Sequence, residues 1–429
     1  MIEDIQTEKS EKQRHRYIKR MKRDEHKRCG VFLTPPRIKR TLLEKRFSAA
    51  VRRTALGLAF ILLLSQNANA IPVKPPQTGA RSVILYELNS DTVLCSENAD
   101  EKLPVASITK IMTALIVLDN CSLEDEVEIK KEWTLVEGSS SNIKEGRRYT
   151  IRQLLYGLLL SSGNDAAYAL ACHTSGSVSA FADLMNEKAK ELGMLHSSFK
   201  NPHGLDVRDH YSTAADMALL TAAAMKNKDF ALIVSTKEAK IGGESFVNHN
   251  KMLWNYKDTV GVKTGYTSQA GRTLVTCANK GDMTLICVTL NDSNDWNDHA
   301  GLYDWANANY RLASAVRAGE TITQLNVISG MSDTVCVCAA EDVTLLLGND
   351  DKLSVDFRLP RFVYAGVVKG SKIGSADVFV NGEKQSSVDL VFSETVSVDT
   401  SIPLSFWEQV RRSLFPSSEF THRLKQIIS

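Results

Sequence analysis

"TLVTCANKGDMTLICVTL" (residues 273–290) is two apolar, β-rich runs joined by Asn-Lys-Gly-Asp, the composition of a hairpin. Working outward, "ARSVILYELNSDTVLCSENAD" (80–100) has the same form, with Asn-Ser-Asp as its turn. Between the two hairpins the chain reads as helices. "SITKIMTALIVLDN" (107–120) sets Ile108, Ile111, Met112 and Leu115 on one side, with no Gly or Pro inside. "TIRQLLYGLLLSSGNDAAYALACHTSG" (150–176) is two helices interrupted at Ser161–Asn164, and residues 177–194 and 213–227 are further amphipathic helices. A region that opens and closes in strands and is helical in its middle predicts an α+β fold. An antiparallel sheet would carry packed helices and a helical insertion.

Near Gly319 the texture changes to short β-rich runs: "SDTVCVCA", "DVTLLLG", "LSVDFRL", "ADVFVNG" and "SVDLVFS", punctuated by Gly, Asn and Asp. This is the pattern of a small, separate all-β domain. The expected organisation is a basic extension and signal peptide over 1–70, the α+β domain over 71–316, the all-β domain over 317–401 and an amphipathic tail over 402–429.

The chain has 429 residues and a net charge of only +2, unevenly spread. Residues 1–53 carry 17 Lys and Arg against seven Asp and Glu, a net of +10, which leaves the remainder at −8. The basic head therefore gives no reason to expect nucleic-acid binding by the folded part. Arg52 and Arg53 lead into the apolar run "TALGLAFILLL" (54–64), and small residues follow at Ala68 and Ala70. That is a secretory signal with cleavage after Ala70, too short to span a bilayer. Of eight cysteines, Cys29 precedes the signal, and the other seven do not suggest a disulfide framework. Cys95, Cys172, Cys277 and Cys287 lie in apolar runs and read as small core residues, while Cys336 and Cys338 point the same way along a strand. No second thiol or imidazole pair has ligand spacing, so no metal and no cofactor is expected.

Three motifs carry chemistry. In "PVASITKIM" (104–112), Ser107 and Lys110 are three apart, so on a helix the amine shares a face with the hydroxyl. A serine at a helix start is equally a good N-cap, and the motif alone does not decide between the two. Ser162-Gly163-Asn164 sits in the helix break and offers a hydroxyl and an amide. Lys263-Thr264-Gly265 lies in "VGVKTGYTSQAGRTLV" (260–275), where Gly261 and Gly265 let a strand edge run close to a ligand. The order Ser-x-x-Lys, Ser-x-Asn, Lys-Thr-Gly fits a serine acyl-transfer site.

With the flanking words "EGSSSNIKEG", "NPHGLD" and "STAADMALL", residues 80–400 resemble the low-molecular-mass penicillin-binding proteins of the D-alanyl-D-alanine carboxypeptidase family. The resemblance implies a β-lactamase/transpeptidase-like catalytic domain followed by the all-β domain. It implies that Ser107 attacks the carbonyl between the last two D-alanines of a peptidoglycan stem peptide, with Lys110 taking its proton. Ser162 and Asn164 would relay protons and hold the peptide amide. Lys263 and Thr264 would bind the terminal carboxylate, and the N–H groups of Ser107 and Tyr266, beside Gly265, would form the oxyanion hole. β-Lactam antibiotics would act as inhibitors. Val260 departs from the Asp that relatives often carry, and His249 stands where some place an Arg. His203 and Asp206 are expected to shape a loop.

Two rivals remain. A serine β-lactamase of the same fold would need a deacylating carboxylate loop that the sequence does not display. A non-catalytic cell-wall-binding protein would not need all three motifs. In the tail "PLSFWEQVRRSLFPSSEF" (403–420), Phe406, Val410 and Leu414 recur every four residues beside Trp407, with Arg411 and Arg412 adjacent. Such a helix suits a membrane interface, and docking on its own protein is the alternative. Members of the resembled family often end in an anchor of this kind. The expectation is an exported enzyme held peripherally at the outer face of the cytoplasmic membrane.

Overall fold

The computed structural model describes residues 74–401. The basic extension with its signal and the amphipathic tail lie outside the described residues. The chain divides into two compact units between Arg311 and Leu312, ahead of the break expected after residue 316.

In the first unit, strands β1 (Ser82–Glu87) and β2 (Thr92–Glu97) are the expected hairpin, and every residue of β1 is buried. Helix α1 (Lys110–Asn120) follows, then a ribbon of β3 (Glu126–Glu128) and β4 (Arg148–Thr150). Helices α2 (Ile151–Leu159), α3 (Asn164–Ser175), α4 (Val178–Glu191), α5 (Ala214–Ala224) and α6 (Lys228–Ser235) make up the helical middle. A second ribbon, β5 (Glu238–Ile241) and β6 (Glu244–Val247), and the short α7 (Met252–Asn255) lead to β7 (Thr259–Thr267), β8 (Gly271–Lys280) and β9 (Met283–Leu290). Helix α8 (Asp295–Asn309) closes the unit.

The sheet runs β2-β1-β9-β8-β7, and every pairing in it is antiparallel. Ile84 of β1 lies opposite Val288 of β9, so the two quoted hairpins meet and the helices are an insertion between them. This is the α+β architecture expected from the strand–helix–strand order, and it leaves β7 as an edge.

Helix α1 departs from the one-sided pattern read in its sequence. Every residue from Lys110 to Val117 is buried, Thr113 and Ala114 included. A helix stretch buried all round belongs at the centre of a domain, and Lys110, the one charged residue in that stretch, must be there for a reason other than solubility. The Thr150 hydroxyl accepts from the Gln153 N–H at 3.2 Å while the Thr150 N–H donates to the Gln153 side chain at 2.7 Å. This capping box starts α2.

Of the cysteines read as core, Cys277 and Cys287 are buried, whereas Cys95, on the edge strand β2, and Cys172, which packs against the core, are partly exposed. The seven cysteines of the described residues are free thiols.

Strand β10 (Tyr310–Val316) crosses the division, and the second unit continues with β11 (Thr321–Ile328), β12 (Thr334–Ala339), β13 (Val343–Gly348), β14 (Leu353–Arg358), β15 (Phe362–Tyr364), β16 (Lys372–Val380) and β17 (Glu383–Phe392). Six of them form a sheet of order β14-β16-β17-β12-β11-β15, with β10 and β13 paired separately. Val335, Val337, Ala376 and Leu390 are fully or nearly fully buried in its core. Among the described residues, no helix is long and apolar enough to cross a membrane.

Candidate active site

Ser107 lies in a tight turn, Ala106–Thr109, that runs directly into α1. Its N-cap role is not realised: no side chain caps either the turn or the helix. Ala106, just before it, has φ +48°, a left-handed conformation costly for a residue with a Cβ. Surrounding structure must therefore enforce this turn. The Thr273 hydroxyl of β8 donates to the Val105 carbonyl at 3.1 Å, tying the turn to the sheet. Ser107 remains partly exposed, while Lys110 is wholly buried.

The Lys110 amine has three oxygen neighbours: Ser107 Oγ at 2.8 Å, Asn164 Oδ1 at 2.7 Å and the His203 carbonyl at 2.9 Å. Two of these, an amide and a peptide oxygen, can only accept. A neutral amine has two N–H groups for them and one lone pair, which is then left for Ser107. Burial holds the Lys110 pKa well below the usual lysine range, the Lys263 charge lowers it further, and Asp165 opposes. The amide orientation of Asn164 is self-consistent. Its Nδ2 donates to the Glu137 carbonyl at 2.6 Å, which turns Oδ1 toward the amine.

The break between α2 and α3 brings Asn164 to this point, with Ser162 two residues before it. Both are buried, and Ser162 is left-handed at φ +59°. The next residue, Asp165, fastens the loop opposite. Its carboxylate accepts from Ser140 Oγ at 2.7 Å and from the N–H groups of Ser141 and Ile143 at 2.8 and 3.2 Å.

Strand β7 brings the third motif. Lys263 is 1% exposed, its amine donates to the Thr264 carbonyl at 2.9 Å, and burial lowers its pKa to about 7. At Gly265, a Cβ would come within 2.8 Å of the Ser107 nitrogen. The close approach that glycine permits is thus to the chain's own serine turn, and not only to a ligand. Tyr266 is 70% exposed and follows Gly265 directly on β7.

Sequence reasoning missed the importance of the segment 201–206. The His203 carbonyl is a Lys110 partner, and the Asn201 side chain accepts from Gly204 N at 2.7 Å and donates to the Leu205 carbonyl at 2.9 Å. At Gly204, φ is +87° and a Cβ would stand 1.9 Å from the Ala106 carbonyl, so only glycine fits. Asp206 accepts from Thr267 Oγ1 at 3.0 Å, joining the loop to β7. His203 and Asp206 therefore shape a loop, as read. Burial, with Lys110 nearby, lowers the His203 pKa to about 3, so its ring stays neutral. His210 is structural: Lys200 N–H donates to its Nδ1 at 3.1 Å, so Nε2 carries the proton given to Thr109 Oγ1 at 3.0 Å. His249 was left out of the site, yet burial and the Lys263 charge both lower its pKa, which puts it in that amine's field.

Residues 69–294 match the D-alanyl-D-alanine carboxypeptidase family, and residues 310–398 match the C-terminal domain of penicillin-binding protein 5. The chain is 34% identical to D-alanyl-D-alanine carboxypeptidase DacC of Escherichia coli, across 82% of this chain and 93% of that one. It is 31% identical to D-alanyl-D-alanine carboxypeptidase DacF of Bacillus subtilis, across 71% of this chain and 82% of the relative. Among solved structures, penicillin binding protein 5 from Haemophilus influenzae superposes with a TM-score of 0.65 at 28% identity, covering 76% of this chain and 99% of that one.

Proposed function

The chain belongs to the D-alanyl-D-alanine carboxypeptidase family, and from that premise we propose that it trims the terminal D-alanine from peptidoglycan stem pentapeptides through an acyl-enzyme on Ser107. The carrying observation is the buried Lys110 amine, 2.8 Å from Ser107 Oγ with two carbonyl acceptors behind it. Lys110 takes the serine proton as Oγ attacks the carbonyl carbon between the two D-alanines. The Ser107 and Tyr266 N–H groups stabilise the oxyanion. The C–N bond then breaks, and the leaving amine receives a proton through Lys110 and Ser162. Asn164 holds the peptide amide, and Lys263 with Thr264 holds the carboxylate, His249 standing beside them. Water hydrolyses the ester and frees the serine. A β-lactam would acylate the same serine and leave slowly.

Catalysis is assigned to the first unit, which ends at Arg311, and the second unit, from Leu312, carries the all-β domain. The signal within 1–70 would export the chain, and the tail 402–429 would hold it peripherally at the outer face of the cytoplasmic membrane.

Incubation with a pentapeptide ending in D-Ala-D-Ala, followed by mass spectrometry, should show the loss of one alanine and no further shortening. Rapid turnover of penicillin would instead mark a β-lactamase. An unreacted peptide and unreacted penicillin together would leave only a wall-binding role.

The two lysines also set a pH profile. Lys110 must be neutral to act, so kcat/KM rises with pH as that amine loses its proton. Lys263 must be charged to hold a carboxylate, and with a pKa of about 7 it is charged below neutrality and neutral above. The alkaline limb of kcat/KM should therefore fall with an apparent pKa near 7. Lys263→Arg keeps its charge and should lose that alkaline limb while retaining the acid one. An alkaline limb unchanged in Lys263→Arg would take the carboxylate away from this residue.

A further inference from the structure

The outward face of the second unit's sheet edge carries an apolar patch. Strands β11 and β15 run parallel, with Asn326 opposite Phe362 and Ile328 opposite Tyr364. Val327 and Val363 turn into the core on the other face. On the outer face, Ile328 is 40%, Phe362 46% and Tyr364 64% exposed, and Met331 and Val368 in the flanking loops are 71% and 58% exposed. The rings of Phe362 and Tyr364 meet edge to face at 5.7 Å, forming a fixed aromatic pair. Exposed Arg361 and Lys369 adjoin Phe362 and Val368 along the chain.

The chain leaves the described structure beside this patch. Residues 396–399 run between the ends of the two strands. Val396 O accepts from Gly366 N at 2.9 Å, Ser397 O from Met331 N at 3.0 Å, and Asp399 N donates to Ser329 O at 2.9 Å. Five residues beyond Ser401 comes Phe406, the first of the apolar stripe of the tail. Five residues reach at most about 18 Å. Wherever the stripe lies, the patch is held nearby.

We infer that the Ile328–Phe362–Tyr364 face, with Met331 and Val368, is a second lipid-contacting surface that rests on the bilayer beside the tail. Phe, Tyr and Met flanked by basic side chains suit the water–lipid boundary, where an aromatic ring is buried and a phenol stays wet. The inference rests on the tail reading for its proximity to lipid, and the residues it names are independent of the tail. Neither half needs to hold the protein alone, since weak anchors add through a short tether.

The test uses vesicles of phosphatidylglycerol and phosphatidylethanolamine. Met331→Ser, Phe362→Ser and Tyr364→Ser, combined in the full chain, should lower vesicle partitioning by about tenfold or more. Cooperative melting and pentapeptide trimming in solution should be unchanged. A Tyr364→Trp chain should show fluorescence quenching by brominated lipid beyond that of the parent. Unchanged partitioning of the triple variant with an unquenched Trp would overturn the inference. Truncation after Ser401 separates the two anchors. If it abolishes flotation while the triple variant floats normally, the tail anchors and the patch does not. If it leaves flotation that the triple variant then removes, the patch binds lipid and the tail reading fails. A triple variant that floats as before but becomes more sensitive to protease in its tail would mean that the tail covers the patch, which also overturns the inference.

Discussion

Ser107→Ala should form no covalent adduct with labelled penicillin and should lose D-alanine release by a factor on the order of 10⁶, the scale seen when a hydrolase loses its nucleophile. The fold should survive. Ser107 is partly exposed, and the side-chain contact that its hydroxyl loses is the 2.8 Å one to Lys110. That amine keeps the Asn164 and His203 oxygens at 2.7 and 2.9 Å. If it is neutral, both N–H groups stay satisfied and only a lone pair is left without a partner, so the stability cost is small. A marked drop in Tm would imply the opposite, an ammonium with one orphaned donor. Mass mapping of the wild-type adduct checks the assignment directly. An adduct on any other serine, Ser162 included, or a Ser107→Ala chain that still trims peptide, would remove Ser107 from its role.

The sheet was legible because each of its hairpins announces itself with two β-rich runs and a polar turn, and the pairing of Ile84 with Val288 follows once both exist. Helix α8 was not read as an element. Its sequence, Asp295–Asn309, is rich in Asn and Asp, and its buried side includes His299 and Tyr303. Those polar groups are tolerated because Thr276 and Thr289 of the sheet supply partners: Thr276 Oγ1 lies 2.6 Å from both His299 Nδ1 and Tyr303 OH, and Thr289 Oγ1 lies 3.0 Å from His299 Nε2. Hydrophobic periodicity is blind to a face that is buried through hydrogen bonds. Strand β15 was missed for another reason: it is three residues long, and Pro360 stands just before it.

At the candidate site, side chains were legible and backbone was not. Motif spacing singles out Lys110, Ser107 and Asn164, and the contact of Lys110 with Asn164 joins residues 54 positions apart. The His203 carbonyl has no signature, because every residue has one. What marks it is the company it keeps, an Asn201 that organises the loop and a Gly204 with no room for a Cβ. Both are visible as letters, but their meaning depends on Ala106 lying against Gly204, which is a tertiary fact.

Lys110→Arg should abolish acylation, by at least about 10³-fold in the second-order rate with penicillin, within the range a general base contributes. The substitution keeps the positive charge and removes what the geometry asks for. Guanidinium stays protonated at any working pH and offers donors only, so it has no lone pair for the Ser107 proton. Size adds a second obstacle. Lys110 is 0% exposed, and its two carbonyl partners come from α3 and the 201–206 loop, so the longer planar head meets structure on each side. A buried permanent cation can also unfold a domain, which would mimic the expected loss. Lys110→Met separates the two effects, since it fills a similar volume, carries no charge and has no basic nitrogen. Both variants should be inactive; Lys110→Met leaves the Asn164 and His203 oxygens without their donor and should melt below the parent while still unfolding cooperatively. Lys263→Arg provides the contrast: it should retain some activity, because there the charge matters and the lone pair does not. Acylation of Lys110→Met at more than a tenth of the parent rate would show that Ser107 is activated without this amine, and the proton would have to be sought at Ser162.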